Sequence, residues 1–227
     1  MLKVLLASSG KCCKKLFYLV VFYGFSVASA GSYDDFFRAV RQDDASSVSA
    51  LLQRGFDANT VDPSGWHGLM LAIREPSPKV IRVLLDWPTT KVEVRNAQDE
   101  SPLMLAALAG ELELCRLLIQ KNADVNKPGW AALHYAATNG HLEVMNLLLE
   151  ENAYIDAQSP NGTTPLMMAA HYGTPAAVQL LLQAGADPLL KNMQGLAALD
   201  FANRGRREDS ANIIRAFIRS LQPKGTW

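Results

Sequence analysis

Asn161-Gly162-Thr163-Thr164-Pro165-Leu166-Met167-Met168-Ala169-Ala170 decides the fold. Asn-Gly makes a turn. Thr164 offers a hydroxyl to the free amide groups that open a helix. Pro165, at the first helical position, gives up an N–H that had no partner there. Leu166, Ala169 and Ala170 then share one helical face. Tyr172-Gly173 ends that helix. Pro175 opens a second, with Val178, Leu181 and Leu182 on its apolar side, and Gly185 supplies the left-handed residue that closes it.

This unit recurs in both directions. Ala169 belongs to the series Ala39, Ala72, Ala106, Ala136, Ala169 and Ala202, at intervals of 33, 34, 30, 33 and 33 residues. Three positions before each alanine stands Phe36, Leu69, Leu103, Leu133, Leu166 or Leu199. Aliphatic clusters follow in the same register, among them Leu51-Leu52, Val83-Leu84-Leu85, Leu117-Leu118-Ile119, Leu147-Leu148-Leu149 and Ile213-Ile214. Gly55, Asn122, Asn152 and Gly185 come after their clusters at matching distance, and Gly and Asn best tolerate positive φ. A period near 33 marks a stacked array of helical hairpins rather than a closed globular domain. Such arrays bury a continuous spine and present a long shallow surface, which suits holding a partner better than chemistry.

The residues in this register resemble those of the ankyrin-repeat family. Besides the stretch from Asn161, the matching segments are Ser101-Pro102-Leu103-Met104-Leu105-Ala106-Ala107 with Gly110, Leu133-His134-Tyr135-Ala136-Ala137 with Gly140-His141, Asn122-Ala123-Asp124-Val125-Asn126, and Gly185-Ala186-Asp187. The resemblance runs from about Tyr33 to Leu221. It implies an all-α solenoid of about six helix–turn–helix repeats with protruding β-turn loops. On this reading residues 31–62 form a polar N-terminal capping repeat. Repeats follow at 63–97, 98–127, 128–158 and 159–191, then a C-terminal capping repeat at 192–221 and a tail at 222–227.

Two repeats depart from the pattern. The second has His67-Gly68 where the family has Thr-Pro, and Glu75-Pro76-Ser77-Pro78 where it has Gly-His; Trp87 in its following loop reads as exposed. The fourth is clipped at Lys127-Pro128-Gly129 and has Ala131-Ala132 in place of Thr-Pro, so it lacks a hydroxyl cap. Such a loss costs on the order of 1 kcal/mol.

Composition sets the class. The chain of 227 residues has 22 basic and 22 acidic side chains, and 49% of it is hydrophobic. That is enough for a core, and no basic patch argues for nucleic acid. Lys3, Lys11, Lys14 and Lys15 precede the apolar run Leu16–Val27, and Ala28-Ser29-Ala30 follows. A positive stretch, an apolar stretch and an A-x-A site read as a secretory signal peptide over residues 1–30, cut before Gly31. The run is short of the roughly 20 residues that cross a bilayer. The expected location is periplasmic or secreted, with no stable membrane insertion. Removing those four lysines leaves 18 basic against 22 acidic residues, and Cys115 as the one remaining cysteine. No internal disulfide is then available, so packing alone must hold the fold.

Candidate chemistry is sparse. The sequence has no G-x-S-x-G, H-E-x-x-H, phosphate-cradling glycine loop or paired-cysteine metal site. His134 and His141 are seven residues apart, roughly 10 Å along a helix and too far to share a metal. The resemblance gives both imidazoles backbone hydrogen bonds instead. His67 lies in a turn and His171 near a helix end, and one of the two is a candidate contact residue. Scattered aspartates, Asp57, Asp62, Asp99, Asp124, Asp156 and Asp187, read as turn formers. We therefore expect no catalytic residue, no cofactor and no metal, but a monomeric, non-catalytic module that binds a protein partner.

In the ankyrin architecture the turn tips and first helices line the concave face. The variable tip position holds Trp66, Glu100, Trp130, Thr163 and Leu196, and the position two after the recurring alanine holds Arg74, Leu108, Thr138, His171 and Arg204. Aromatic anchors beside a charge are typical of binding hot spots. The expected contacts are Trp66, Arg74, Glu100, Leu108, Trp130, Thr138, His171 and Tyr172. Each tryptophan could instead fill space left by an irregular repeat. A small-ligand, cell-wall or oxidative-stress role, or action on host proteins, is the alternative to a protein partner.

Overall fold

A computed structural model describes residues 31–221. The signal-peptide reading over 1–30 and the tail 222–227 lie outside the described residues. Twelve helices occupy the described part. They are α1 (31–41), α2 (Ala45–Gln53), α3 (Gly68–Arg74), α4 (Pro78–Asp86), α5 (Pro102–Ala109), α6 (Leu112–Gln120), α7 (Ala132–Asn139), α8 (Leu142–Glu150), α9 (Pro165–His171), α10 (Pro175–Gln183), α11 (Ala198–Arg204) and α12 (Glu208–Leu221). They pair into six antiparallel hairpins, and β-turn loops separate them. Among the described residues strand pairing is limited to one bridge, between Val61 and His67.

The stacking follows chain order. The inner helices α3, α5, α7, α9 and α11 each pack on the next, and the outer helices form a second layer, α2 on α4, α6 on α8, α8 on α10 and α10 on α12. The recurring alanines explain the close inner row. Ala72, Ala106, Ala136, Ala169 and Ala202 are all fully buried, as are Leu69, Leu103 and Leu166. A methyl group is all the space between adjacent inner helices allows. Glycine serves where even that is too much: a Cβ on Gly173 would lie 2.4 Å from the Ala137 carbonyl oxygen.

Helix ends obey the local signals. Thr164 Oγ1 accepts from Met167 N at 3.4 Å, and Thr174 Oγ1 from Ala177 N at 3.2 Å. Gly55, Asn122, Asn152 and Gly185 all have positive φ, as expected of helix-terminating positions. Where the second repeat lacks threonine, the His67 ring takes the role, its Nδ1 accepting from Leu69 N at 3.2 Å. In the fourth repeat Ala131 cannot accept from the helix, but its own N–H donates to His134 Nδ1 at 3.2 Å, so half of the capping exchange survives.

Side chains tie each repeat to the next at periodic positions. On the loop side Asn59 accepts from Lys91 N, Glu93 from Asp124 N, Asn126 from Tyr154 N and Asp156 from Asp187 N. On the hairpin-turn side Ser77 Oγ donates to Val40 O, His141 Nε2 to Leu108 O, and Arg207 Nη2 to Tyr172 O. The hairpin-turn bonds reach carbonyls at the C-terminal ends of inner helices, Val40 O alongside its bond from Asp43 N.

Candidate partner-binding surface

The inner helices expose one repeating row. One position before each of the last five recurring alanines stands Leu71, Leu105, Tyr135, Met168 or Phe201. Leu71 is fully buried, whereas Leu105, Tyr135, Met168 and Phe201 are half-buried, and Leu105, Tyr135 and Phe201 pack against the core. The cause is the 3.6-residue turn: this position lies at the edge of the buried face, where one flank of the side chain meets water. The four form an apolar stripe down the concave side. The position two after the alanine, singled out from the sequence, is not this row, whose signal is a large apolar residue at the same register in five successive repeats.

The expected contacts fall around that stripe. Trp66 is half-buried, and the Arg74 guanidinium carbon sits 4.2 Å from its ring centroid. Arg74 itself is exposed and pairs with Glu75 at 3.0 Å. Glu100 and Leu108 are half-buried. Trp130 is also half-buried, and its ring meets His134 edge-on with centroids 5.2 Å apart. Thr138 spends its hydroxyl on the His134 carbonyl at 2.8 Å. His171 Nδ1 donates to Phe201 O at 2.9 Å, and Tyr172, 53% exposed, stands edge-on to that imidazole. The Thr138 hydroxyl and the His171 Nδ1 are thus engaged within the fold.

Two sequence expectations change. His67 is 2% exposed and works as a helix cap, with Nε2 3.3 Å from Asn59 Oδ1, so it is no contact residue. Burial pushes its pKa down to about 4. Trp87 is half-buried and packs on the core rather than standing free, and the loop after it is held to Asn59 through Thr89 O and Lys91 N.

The turn aspartates do what short carboxylates do in turns. Asp57, Asp62, Asp124 and Asp187 each accept from the backbone N–H two residues on. Asp99 adopts φ +61° and takes Lys127 Nζ, whose side chain is 5% exposed and also donates to the Pro128 carbonyl at 3.1 Å. Lys127 thereby fills the clipped turn of the fourth repeat. Cys115 is fully buried, and burial pushes its thiol pKa up to about 12, far from the thiolate that redox work needs.

Among the described residues no three His, Cys, Asp or Glu side chains gather as a metal site, and no helix is long and apolar enough to cross a membrane. Open concavities lie elsewhere. One of about 410 Å³ sits at the end of the stack, lined by Asp35, Arg38, Asp44 and Arg54. Another of about 310 Å³ lies between α4 and α6, with Ile81, Leu114 and Leu117 on its walls. The first is a charged dish on the capping hairpin and the second a gap between outer helices; neither adjoins the aromatic tip row.

Comparison with known proteins agrees with this build. The family model "Ankyrin repeats (3 copies)" matches residues 36–128, 76–159 and 133–218. The chain is 33% identical over 165 residues to the nuclear factor NF-kappa-B p105 subunit of Gallus gallus, covering 70% of this chain and 17% of that protein. It is 32% identical over 167 residues to the B-cell lymphoma 3 protein homolog of Mus musculus, covering 70% and 37%. It therefore spans well under half the length of these relatives. Among solved structures, a chain from the complex of a Bdellovibrio bacteriovorus predatory endopeptidase with an immunity protein superposes with TM-score 0.70 at 28% identity, covering 80% of this chain and 97% of that one. The ankyrin repeat protein EF0377 superposes with TM-score 0.70 at 28% identity, covering 80% and 96%. Repeat length, motif register, stacking order and these likenesses agree: the chain belongs to the ankyrin-repeat family.

Proposed function

We propose that this chain is an exported, non-catalytic binding module that holds a protein partner against its concave face. The observation that carries the reading is the half-buried stripe Leu105, Tyr135, Met168 and Phe201 between the Trp66–Glu100–Trp130 tip row and Tyr172. A continuous row of partly wetted apolar side chains flanked by aromatic residues fits a protein hot spot. The leader reading of residues 1–30 supports export. The likeness in fold and length to a chain of an endopeptidase–immunity complex favours an exported enzyme as the partner. A protective redox role has little support, since Cys115 is buried and its thiol is protonated at neutral pH.

The test is recovery of partners from an extract of exported proteins. Wild type is compared with a Leu105→Glu, Met168→Glu variant and with an outer-face Glu143→Lys control. A partner lost with the first variant and kept with the control supports the concave face. Equal recovery by all three rejects it. Fusing residues 1–30 to alkaline phosphatase tests export separately: activity is expected, and an inactive fusion rejects it.

A further inference from the structure

Glu100 stands in the tip row, one repeat from Trp66 on one side and one from Trp130 on the other. Two neutral donors fix its half-buried carboxylate. Asn96 Nδ2 donates to Oε2 at 2.6 Å, and Tyr135 OH donates to Oε1 at 3.2 Å from the next repeat. Asn96 Oδ1 in turn accepts from Glu100 N at 2.9 Å, which locks the backbone beneath.

No lysine, arginine or histidine among the described residues pairs with this carboxylate. The nearby cations go to other acids: Arg95 pairs with Glu93 at 2.7 Å and lies 3.8 Å from Asp99, and Lys127 bonds Asp99, although the Asp99 side chain is 69% exposed. Arg74 lies over Trp66 and bonds Glu75 instead. The less hydrated acid is therefore the one left without a counter-charge. A carboxylate held by neutral donors away from bulk water attracts a cation more strongly than one in open solvent. Its fixed orientation also reduces the freedom lost when a partner arrives.

We infer that the segment this groove receives presents a lysine or arginine to Glu100, with apolar side chains beside it on Leu105, Tyr135 and Met168. This rests on the concave-face reading above and adds the chemistry of the partner. A bare metal ion fits poorly, because the site supplies one carboxylate and otherwise donors. The Arg74–Trp66 contact shows that guanidinium lies well against the indole of this rim.

The experiment selects a phage-displayed library of random twelve-residue peptides on the purified protein. Selected peptides are then measured on wild type, Glu100→Gln and Leu105→Glu, Met168→Glu, each checked for native helicity. Glutamine removes the charge and keeps an acceptor for Asn96 Nδ2, while its NH2 can donate to the Tyr135 hydroxyl oxygen in place of accepting from it. The expected result is peptides that carry a lysine or arginine next to apolar residues, bind Glu100→Gln about tenfold or more weakly, and weaken as salt rises. Peptides lacking a basic residue, or binding Glu100→Gln as tightly as wild type, overturn the inference. If those same peptides are lost on Leu105→Glu, Met168→Glu, the concave reading survives alone. Binding that ignores both variants, or a library that yields no binder, counts against both.

Discussion

His134 Nε2 donates to the Thr163 carbonyl at 3.0 Å, across 29 positions of sequence. The same ring accepts from Ala131 N at its other nitrogen. One fully buried imidazole thus supports the start of its own helix and fastens the fourth repeat to the fifth. His134→Leu fits the volume but leaves the buried Ala131 N–H without its acceptor and the Thr163 carbonyl with Ser159 N alone. We expect a loss of about 3 kcal/mol, read as a lower urea midpoint at neutral pH.

Acid should weaken the fold through the buried histidines. Burial lowers the His67 pKa to about 4, from 6.5 in the unfolded chain, and lowers that of His134 as well. Between those two values the unfolded chain holds the extra proton on His67. Stability is therefore complete above pH 6.5 and falls as pH drops towards 4, by up to about 3 kcal/mol from His67. His67→Thr keeps a capping oxygen without a titrating ring. Urea midpoints at pH 7 and pH 4.5 should differ less for His67→Thr than for wild type; equal differences would exclude His67 as a source.

Two glycines should respond differently to alanine. Gly173→Ala forces a methyl group to 2.4 Å from the Ala137 carbonyl oxygen, between inner helices that cannot separate without disturbing the stack. Gly185 has φ +101° with no neighbouring atom inside 4 Å, so Gly185→Ala meets only backbone strain. We expect about 3 kcal/mol for Gly173→Ala and about 1 kcal/mol for Gly185→Ala, compared by thermal unfolding under one buffer.

Cys115 should be silent in the native protein. A thiol reagent is expected to modify it only as fast as the array opens, so urea should accelerate labelling in step with unfolding. Rapid labelling in native buffer would mean that α6 frays on its own.

Lys127 should be structural. Lys127→Met retains the buried stem and loses the bonds to Asp99 and to the carbonyls of Pro128 and Trp130. A loss of about 2 kcal/mol is expected. Salt should change it little, because the ammonium group is screened by protein rather than by water. Matching unfolding midpoints for variant and wild type would show that the clipped turn holds without it.

The array was legible because its rules are local. Thr164-Pro165, Asn122 and Gly185 announce helix ends by steric and hydrogen-bonding demands that do not depend on distant residues. The roles of His134 and His141 followed from the family resemblance and hold in the structure. Substitutions were harder to read. That a histidine could cap where threonine was missing depends on Asn59, eight residues earlier, holding the far side of the ring. The fate of Trp87 depended on how its loop is held to Asn59, which no periodicity encodes. The apolar stripe was missed because helical pattern separates inside from outside, whereas Tyr135 and Phe201 sit on the border.

The standoff between α4 and α6 has a mechanical consequence. Elsewhere the outer layer passes load from each hairpin to the next, but at this joint the connection runs mainly through α3 and α5. Bending the array at this seam would therefore part few outer-layer side chains, and the first two hairpins form the shorter arm on one side of it.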